Sequence, residues 1–145
     1  MLGYTEADYE NSIIELFRTM GYRYVYAPDL DRDLRSPLYE DELRDALYRL
    51  NPAMPDAAIG EAYAKLHDIE NGELVQKNAV FMDYLQHGVE VRYREKGEER
   101  SGIVYLADYE TPGNNSFVAA NQWTFIENSK KRPDMILFLN GLPIV

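Results

Sequence analysis

In the first half of the chain, hydrophobic positions recur at the three- and four-residue spacing of amphipathic helices. This spacing predicts helices over residues 5–20, 38–50, 57–66 and 73–86. Thr5 is suited to cap the first helix together with Asp8, and Gly21 is suited to end it. The predicted first helix carries an apolar stripe that consists of Tyr9, Ile13, Leu16, Phe17 and Met20.

After Gly88 the hydrophobic period changes to the two-residue alternation of strands. Strands are predicted over residues 22–26, 89–94, 103–106, 117–126 and 134–139. Asn140–Gly141 is a strong signal for a tight hairpin turn, after which Pro143 begins a fifth strand of the second half. The pattern predicts an α+β fold in a single domain, 1–145, in which a helix-rich N-terminal half packs on a mixed or antiparallel sheet.

Composition and charge narrow the choice of partners. The chain has 145 residues, of which 46% are hydrophobic, so that it can form a core, and its net charge is −10. It has no cysteine and no apolar run of the roughly 18 residues that a membrane span needs, so a cytoplasmic location is expected. The negative charge favours a protein partner over nucleic acid. Basic groups gather in the later half, at Arg92, Arg94, Lys96, Lys130, Lys131 and Arg132.

Several enzyme classes lack their sequence signals. His67 and His87 are too far apart to form a metal-spaced pair, and both fall near predicted helix ends. Neither glycine-rich phosphate-binding motif, GxxxxGK[ST] or GxGxxG, is present. No serine stands in a nucleophile-elbow pattern.

Asp134 is the acidic residue in the most unusual context. It follows Pro133 and precedes the apolar run of residues 135–139. A carboxylate at the start of a buried strand is costly unless it has a partner, which is one reason to expect a function for it. The alternative is a turn residue that caps the local backbone. Taken by itself, the pattern leaves both interpretations open.

Longer segments around Asp134 resemble a known family. Lys131-Arg132-Pro133-Asp134, followed by residues 135–139 and by Asn140-Gly141-Leu142-Pro143, resembles the PD-(D/E)xK nuclease signature of the restriction subunit of type I restriction-modification enzymes. Residues 5–10 with Gly21-Tyr22 resemble the opening helix of that family, and Asn121-Gln122-Trp123 resembles its Asn-Gln-aromatic strand. The resemblance spans nearly the whole chain.

The resemblance implies a restriction-endonuclease-like core and a Mg²⁺-dependent cleavage of unmethylated foreign DNA by the full-length complex. It implies that Asp134 is a catalytic metal ligand and that Glu10 is a second catalytic acid. The Glu-x-Lys half of the signature is absent; we expect it beyond Val145, so the core is incomplete at its C-terminus and this chain alone should not cleave DNA. The resemblance also implies an ATP-binding motor elsewhere in the subunit, with methylation and specificity subunits as partners.

The basic and aromatic groups leave alternatives open. Lys130, Lys131 and Arg132 are candidate DNA contacts near the cut site, or else a solvated turn. Arg92, Arg94 and Lys96 are expected to be ordinary hairpin surface. Trp123 and Phe125 could stack on bases, although burial in the core is the preferred interpretation.

The main alternative function is a non-catalytic module. In that case the acidic helices of residues 38–87 would dock a partner, or the module would bind DNA, and Asp134 would be structural.

Overall fold

The computed structural model describes most of the chain. The described ranges are 5–32, 36–70, 74–123, 125–126, 130–131 and 135–144. Its helices are α1 (Glu6–Thr19), α2 (Glu40–Leu50), α3 (Asp56–His67) and α4 (Leu74–His87). Its strands are β1 (Arg23–Tyr26), β2 (Val89–Glu95), β3 (Glu98–Val104), β4 (Phe117–Asn121), β5 (Phe125–Ile126), β6 (Lys130–Lys131), β7 (Met135–Leu139) and β8 (Leu142–Pro143). This is an α+β fold, as the hydrophobic pattern predicts.

The chain divides into two compact units. Unit 1 comprises residues 1–42 and 116–145, and unit 2 comprises residues 43–115. The expectation of a single domain over residues 1–145 stays a prediction. None of the helices in the described part of the chain has the length and apolar character that crossing a bilayer requires.

The two ends of α1 follow the sequence signals. Thr5 is the N-cap, and it exchanges hydrogen bonds with Asp8: the Asp8 amide donates to Thr5 Oγ1 at 3.2 Å, and the Thr5 amide donates to Asp8 Oδ2 at 2.9 Å. Gly21 has a φ of 94°, which lets the Tyr22 amide reach back to the Phe17 carbonyl at 2.9 Å. This is the C-terminal cap that glycine favours, and it confirms where the helix was predicted to end.

The inward face of α1 is offset from the predicted stripe. Ile14 is buried and Phe17 is half-buried, whereas Ile13, Leu16 and Met20 are exposed. The sequence offers apolar residues on two adjoining sides of this helix, and spacing alone does not tell which side meets the sheet.

Unit 1 is built on a mixed four-stranded sheet of order β1-β4-β7-β8. β1 runs parallel to β4, and Tyr26 pairs with Asn121 at the end of both strands. β7 runs antiparallel to β4, so its first residue, Met135, pairs with the same Asn121. The parallel pair links residues about a hundred positions apart, which no local pattern could indicate.

The core of unit 1 lies on one face of this sheet. Val118 and Ala120 of β4 alternate onto this face, and they are fully buried together with Phe138 of β7. Tyr39 and Trp123 close the cluster, with the Trp123 and Phe138 ring centroids 4.6 Å apart. Burial of this many aromatic side chains is the main stabilising contribution in the unit.

The strand predicted over residues 117–126 is interrupted, and that prediction was wrong in its length. β4 ends at Asn121, and Gln122 has a φ of 55°, a left-handed conformation that no extended strand continues through. The chain then places Trp123 in the core, and Phe125 and Ile126 pair with β6 in a separate two-stranded ribbon. The alternation of hydrophobic and polar residues continues across this break, so the sequence pattern does not reveal where the strand ends.

The hairpin between β7 and β8 is the turn that Asn140–Gly141 predicts. Both residues have positive φ, 52° and 81°, as a type I′ turn requires. Asn140 is fully buried. Its backbone amide donates to the Ser116 backbone carbonyl at 2.8 Å, and its side-chain Oδ1 accepts from the Ser116 backbone amide at 2.7 Å. The turn is thereby fixed to the residue that precedes β4.

Unit 2 combines α3 with the antiparallel pair β2–β3, whose residues Val89 and Val91 are buried. The buried Asn51 side chain fixes one end of the unit: its Nδ2 donates to the Tyr105 carbonyl at 2.9 Å, and its Oδ1 accepts from the Tyr105 amide at 2.7 Å. The hairpin predicted for the start of the second half is confirmed, with Lys96 and Gly97 as the two turn residues.

Candidate functional site

Three strand ends of unit 1 meet at one edge of its sheet. Tyr26 ends β1, Asn121 ends β4 and Met135 begins β7, and the three residues pair side by side. We call this row the Asn121 edge. Asp134 immediately precedes Met135 in sequence, and it lies outside the described residues. The structure therefore describes the residue that follows the predicted metal ligand and not the ligand itself.

Glu10 is carried towards the same edge by helix α1. The helix returns antiparallel to β1: the Phe17 and Tyr22 rings are 5.4 Å apart, and the Arg18 guanidinium lies 5.3 Å from the Tyr24 ring centroid. Eight residues of helix separate Arg18 from Glu10, about 12 Å of rise. Two residues of strand separate Tyr24 from the end of β1, about 7 Å. Glu10 therefore lies on the part of α1 beyond Arg18, in the direction in which β1 runs towards Tyr26.

Glu10 also differs from the neighbouring acids of α1 in its contacts. Asp8 is used in the helix cap, and Glu15 accepts a hydrogen bond from Arg18 at 2.8 Å. Glu10 is half-buried, and among the side chains that the structure describes it has no hydrogen-bond or ion-pair partner. Its carboxylate is available for a ligand in a way that the other two are not.

Asn121 is a residue whose role the sequence did not reveal. It is 5% exposed at the end of the apolar strand β4. Its Nδ2 lies 3.5 Å from the Tyr24 hydroxyl, and its Oδ1 has no hydrogen-bond partner within the described part of the chain. A buried acceptor without a partner costs about 1–3 kcal/mol. A polar residue that closes a run of valine and alanine was the available signal.

The predicted DNA-contact residues are only partly described. The backbones of Lys130 and Lys131 form β6, which pairs with β5 through Lys131–Phe125 and Lys130–Ile126. Arg132 lies outside the described residues. The prediction that these three residues contact DNA phosphate stays a prediction.

Trp123 is a core residue, as preferred from the sequence. It is fully buried between Tyr39 and Phe138, and the Arg32 guanidinium lies 3.7 Å from its ring centroid. With no exposed face, it cannot stack on a base. Its role is to support β4 and β7 from the side opposite to α1.

The other candidates lie in unit 2. Arg92, Arg94 and Lys96 are exposed on the β2–β3 hairpin, as predicted for hairpin surface. His67 lies 4.6 Å from the Tyr63 ring, and His87 Nδ1 lies 3.1 Å from Asp83 Oδ1. Within the described ranges, no group of three or more His, Asp and Glu side chains could hold a metal ion.

The residues at the Asn121 edge nevertheless fit a magnesium ion in their chemistry. Mg²⁺ takes oxygen ligands and retains several water molecules. Among the described residues, Asn121 offers its side-chain carbonyl at this edge and α1 carries the Glu10 carboxylate, while Asp134 precedes Met135 in sequence. No cysteine or histidine competes with this oxygen set in the described residues of unit 1.

Comparison with known proteins identifies the family. The chain matches the family described as type I restriction enzyme R protein N terminus over residues 3–145. It is 35% identical over 150 residues to the type I restriction enzyme HindI endonuclease subunit of Haemophilus influenzae, with 97% of this chain covered. It is 28% identical over 145 residues to the putative type I restriction enzyme MjaIXP endonuclease subunit of Methanocaldococcus jannaschii, with 93% covered.

A further relative, the putative MjaVIIP endonuclease subunit of the same archaeon, is 42% identical over 65 residues. The chain spans 14% of the length of the HindI subunit and 14% of that of the MjaIXP subunit. The match over residues 3–145 agrees with the resemblance carried by the Asp134, Asn140–Gly141 and Asn121–Gln122 segments. The chain therefore belongs to the family of N-terminal regions of type I restriction enzyme R proteins.

Proposed function

We propose that the chain supplies part of a Mg²⁺-dependent DNA endonuclease site within the R subunit of a type I restriction enzyme. The observation that carries the proposal is the meeting of β1, β4 and β7 at the Asn121 edge, directly after Asp134. Family membership supports the restriction role. Glu10, on the helix that packs against β1, is the second carboxylate of the proposal.

After β7 the chain turns back along this strand in a regular hairpin. In β7–β8 the pairs Phe138–Pro143 and Leu139–Leu142 share one register, and the Ile144 amide continues it to the Leu137 carbonyl at 2.9 Å. A Glu-x-Lys segment on that strand would present both side chains on one face, because alternate residues share a face.

The residues of the chain have distinct roles in this proposal. Asp134 and Glu10 provide carboxylate oxygens that hold the metal ion. When bound, Mg²⁺ polarises the scissile phosphate and lowers the pKa of an attacking water. Lys130, Lys131 and Arg132 hold the DNA backbone by phosphate contacts, which position the strand without reading its sequence. Without the Glu-x-Lys residues, the 145-residue chain is expected to show no metal-dependent cleavage.

The remaining functions belong to the whole subunit and its complex. We propose that the full-length protein binds ATP in a separate motor domain and acts on unmethylated DNA together with methylation and specificity subunits. The HindI and MjaIXP subunits, of which this chain spans 14% each, are long enough for such a division of the work.

The test is the Asp134→Asn variant of the full-length subunit, assembled with its partner subunits. We expect the loss of cleavage of unmethylated plasmid DNA with retained ATP hydrolysis, because asparagine keeps the shape and removes the charge that holds the metal ion. Asp41→Asn, an exposed acid on α2, is the matched control and should cleave normally. Normal cleavage by Asp134→Asn would favour the docking-module alternative, and failure to fold would show that Asp134 is structural.

A further inference from the structure

The proposed nuclease function leaves a cavity of unit 2 without a role. Its volume is about 420 Å³, and its lining consists of Leu50, Tyr105, Ala107, Asp108, Tyr109 and Glu110. This volume is large enough for a long side chain and its hydration, and far larger than one or two waters need. All of the lining residues belong to unit 2, so the cavity is formed within one compact unit.

Two tyrosine rings form the aromatic part of the lining. Tyr105 is 51% exposed and Tyr109 is 64% exposed, so a large part of each ring is open to solvent. The Tyr109 hydroxyl donates to the Leu85 carbonyl at 2.7 Å, which satisfies its polar end and leaves the ring for other contacts. Exposed tyrosines beside a concave surface are typical of protein interfaces, where they anchor apolar or cationic side chains.

The backbone beside the cavity is fixed by two asparagine side chains. Asn51 Nδ2 donates to the Tyr105 carbonyl at 2.9 Å, and Asn51 Oδ1 accepts from the Tyr105 amide at 2.7 Å. Asn115 holds the backbone of Asp108 in the same way, with both contacts at 2.8 Å. The lining is therefore ordered before a ligand binds, and this lowers the entropic cost of binding.

The polar groups of the lining are acidic. The Thr111 amide and the Asn114 side chain donate to the Asp108 carboxylate and hold its pKa below the ordinary value, so it stays ionised. Glu110 is exposed, and its carboxylate has no hydrogen-bond or ion-pair partner among the residues whose structure is described. None of the lining residues is basic. The cavity therefore attracts cations and repels the phosphates of DNA.

We infer that this cavity docks an arginine side chain of a partner protein, with the guanidinium against the tyrosine rings and near the carboxylates of Asp108 and Glu110. Arginine fits the lining better than lysine, because its planar guanidinium stacks on aromatic rings and is more weakly hydrated. The net charge of −10 also favours a basic partner surface. This inference does not depend on the proposed nuclease function.

The experiment uses the blocked peptide acetyl-Gly-Arg-Gly-amide, titrated into the ¹⁵N-labelled chain and followed by its amide chemical shifts. The matched peptide carries citrulline, which keeps the planar end of the arginine side chain and removes its charge. We expect the arginine peptide to shift the amides of Leu50 and of residues 105–110. The citrulline peptide should bind at least about 10-fold more weakly.

Two substitutions test the lining itself. Tyr105→Leu removes a ring and leaves the backbone contacts with Asn51 in place, and it should weaken binding of the arginine peptide about 3- to 10-fold. Glu110→Gln removes one exposed charge and should weaken it about 2- to 5-fold. Tyr48→Leu and Glu99→Gln change exposed residues of unit 2 outside the lining, and these matched controls should bind as the parent does.

Equal affinity for the two peptides would overturn the inference, because the cavity would then not recognise the charge. Equal weakening by Glu110→Gln and Glu99→Gln would also overturn it, since the peptide would then respond to the overall negative charge of the chain. The same spectra report whether each variant is folded. If Tyr105→Leu does not fold, parent-like binding by Glu110→Gln would overturn the inference by itself.

Discussion

The β2–β3 and β7–β8 hairpins have the same turn geometry and opposite surroundings. In the β2–β3 hairpin of unit 2, Lys96 and Gly97 have φ of 54° and 80°; in the β7–β8 hairpin of unit 1, Asn140 and Gly141 have φ of 52° and 81°. Lys96 is exposed and Asn140 is fully buried. The backbone conformation alone therefore says little about how much each turn contributes to stability.

The two turns differ in the contacts that their residues make with the rest of the chain. Beside Lys96 and Gly97, Glu95 is half-buried and Glu98 is exposed, and the Glu98 carboxylate lies 3.4 Å from the Arg100 guanidinium of the same strand. Asn140 instead forms two hydrogen bonds with the backbone of Ser116, and the Gly141 carbonyl accepts from the Tyr39 amide at 2.9 Å. The buried turn fixes β7, and with it the Asn121 edge, whereas the exposed turn ends a ribbon.

Among the substitutions that test this difference between the turns, one at Asn140 is expected to change the unfolding free energy most. Asn140→Ala leaves the Ser116 amide without its partner and puts alanine into a left-handed conformation, so we expect a loss of about 2–3 kcal/mol in unfolding free energy. The matched change at the same turn position, Lys96→Ala, should cost no more than about 0.5 kcal/mol. Urea unfolding of both variants measures the contrast, and equal losses would contradict it.

A smaller effect is expected at Gly97. Its φ of 80° is a conformation that disfavours a side chain, and a Cβ placed there would meet no other atom within 4 Å. Gly97→Ala should therefore cost about 1 kcal/mol through the backbone alone. The same urea experiment measures it. A loss above that of Asn140→Ala would show that the exposed turn also holds packed structure.

The Lys96→Asn substitution sharpens the comparison in the opposite direction. Asparagine tolerates positive φ better than lysine, and Asn-Gly is the preferred pair for this turn. We expect a gain of about 0.5 kcal/mol in unfolding free energy, as for other favourable surface changes. Thermal unfolding should show a slightly higher Tm. A decrease would mean that the charge of Lys96, rather than its backbone conformation, matters at this position.

The smallest expected effect is a dependence of the unfolding free energy on pH. It distinguishes hydrogen bonds to a charged group from hydrogen bonds between neutral groups. The backbone amide of Thr111, then the Asn114 side chain, donate to Asp108 and hold the pKa of its carboxyl below its ordinary value of 3.8. The stabilisation is complete above that value and disappears as the pH falls through the lowered pKa. The neutral contacts of Asn140 carry no such dependence.

Asp108→Asn should therefore be less stable than the parent at neutral pH, and the difference should shrink once the pH falls below about 4. Urea midpoints measured across that range test this. The difference between Asn140→Ala and the parent serves as the control and should remain constant. A pH-independent effect at Asp108 would show that its hydrogen bonds do not depend on its charge.

Local signals in the sequence predicted most of the secondary structure. The Thr5–Asp8 capping pair, the glycine at the end of α1 and the Asn140–Gly141 turn are local, and each has a physical reason to act where it stands. The parallel pairing of β1 with β4 was not predictable, because it joins distant segments. Neither was the break at Gln122, where a side chain with no turn preference adopts positive φ.

The site was predictable only in part. Asp134 was singled out because a carboxylate precedes an apolar strand, and the structure shows that the strand starts at Met135. Glu10 was predicted as a site residue from the family resemblance alone. In the structure, α1 runs back along β1 and brings Glu10 towards the same edge. Asn121 was missed, since its burial, and an Oδ1 that has no partner among the described residues, exist only once β1, β4 and β7 are paired.

The most direct test of the central claim replaces Mg²⁺ by Fe²⁺ in the full-length subunit and cuts the polypeptide with locally generated hydroxyl radicals. The account predicts backbone cuts in three stretches, around Glu10, Asn121 and Asp134, and predicts that Asp134→Asn abolishes all three. Cuts that avoid these stretches, or that persist in Asp134→Asn, would contradict a metal site at the Asn121 edge.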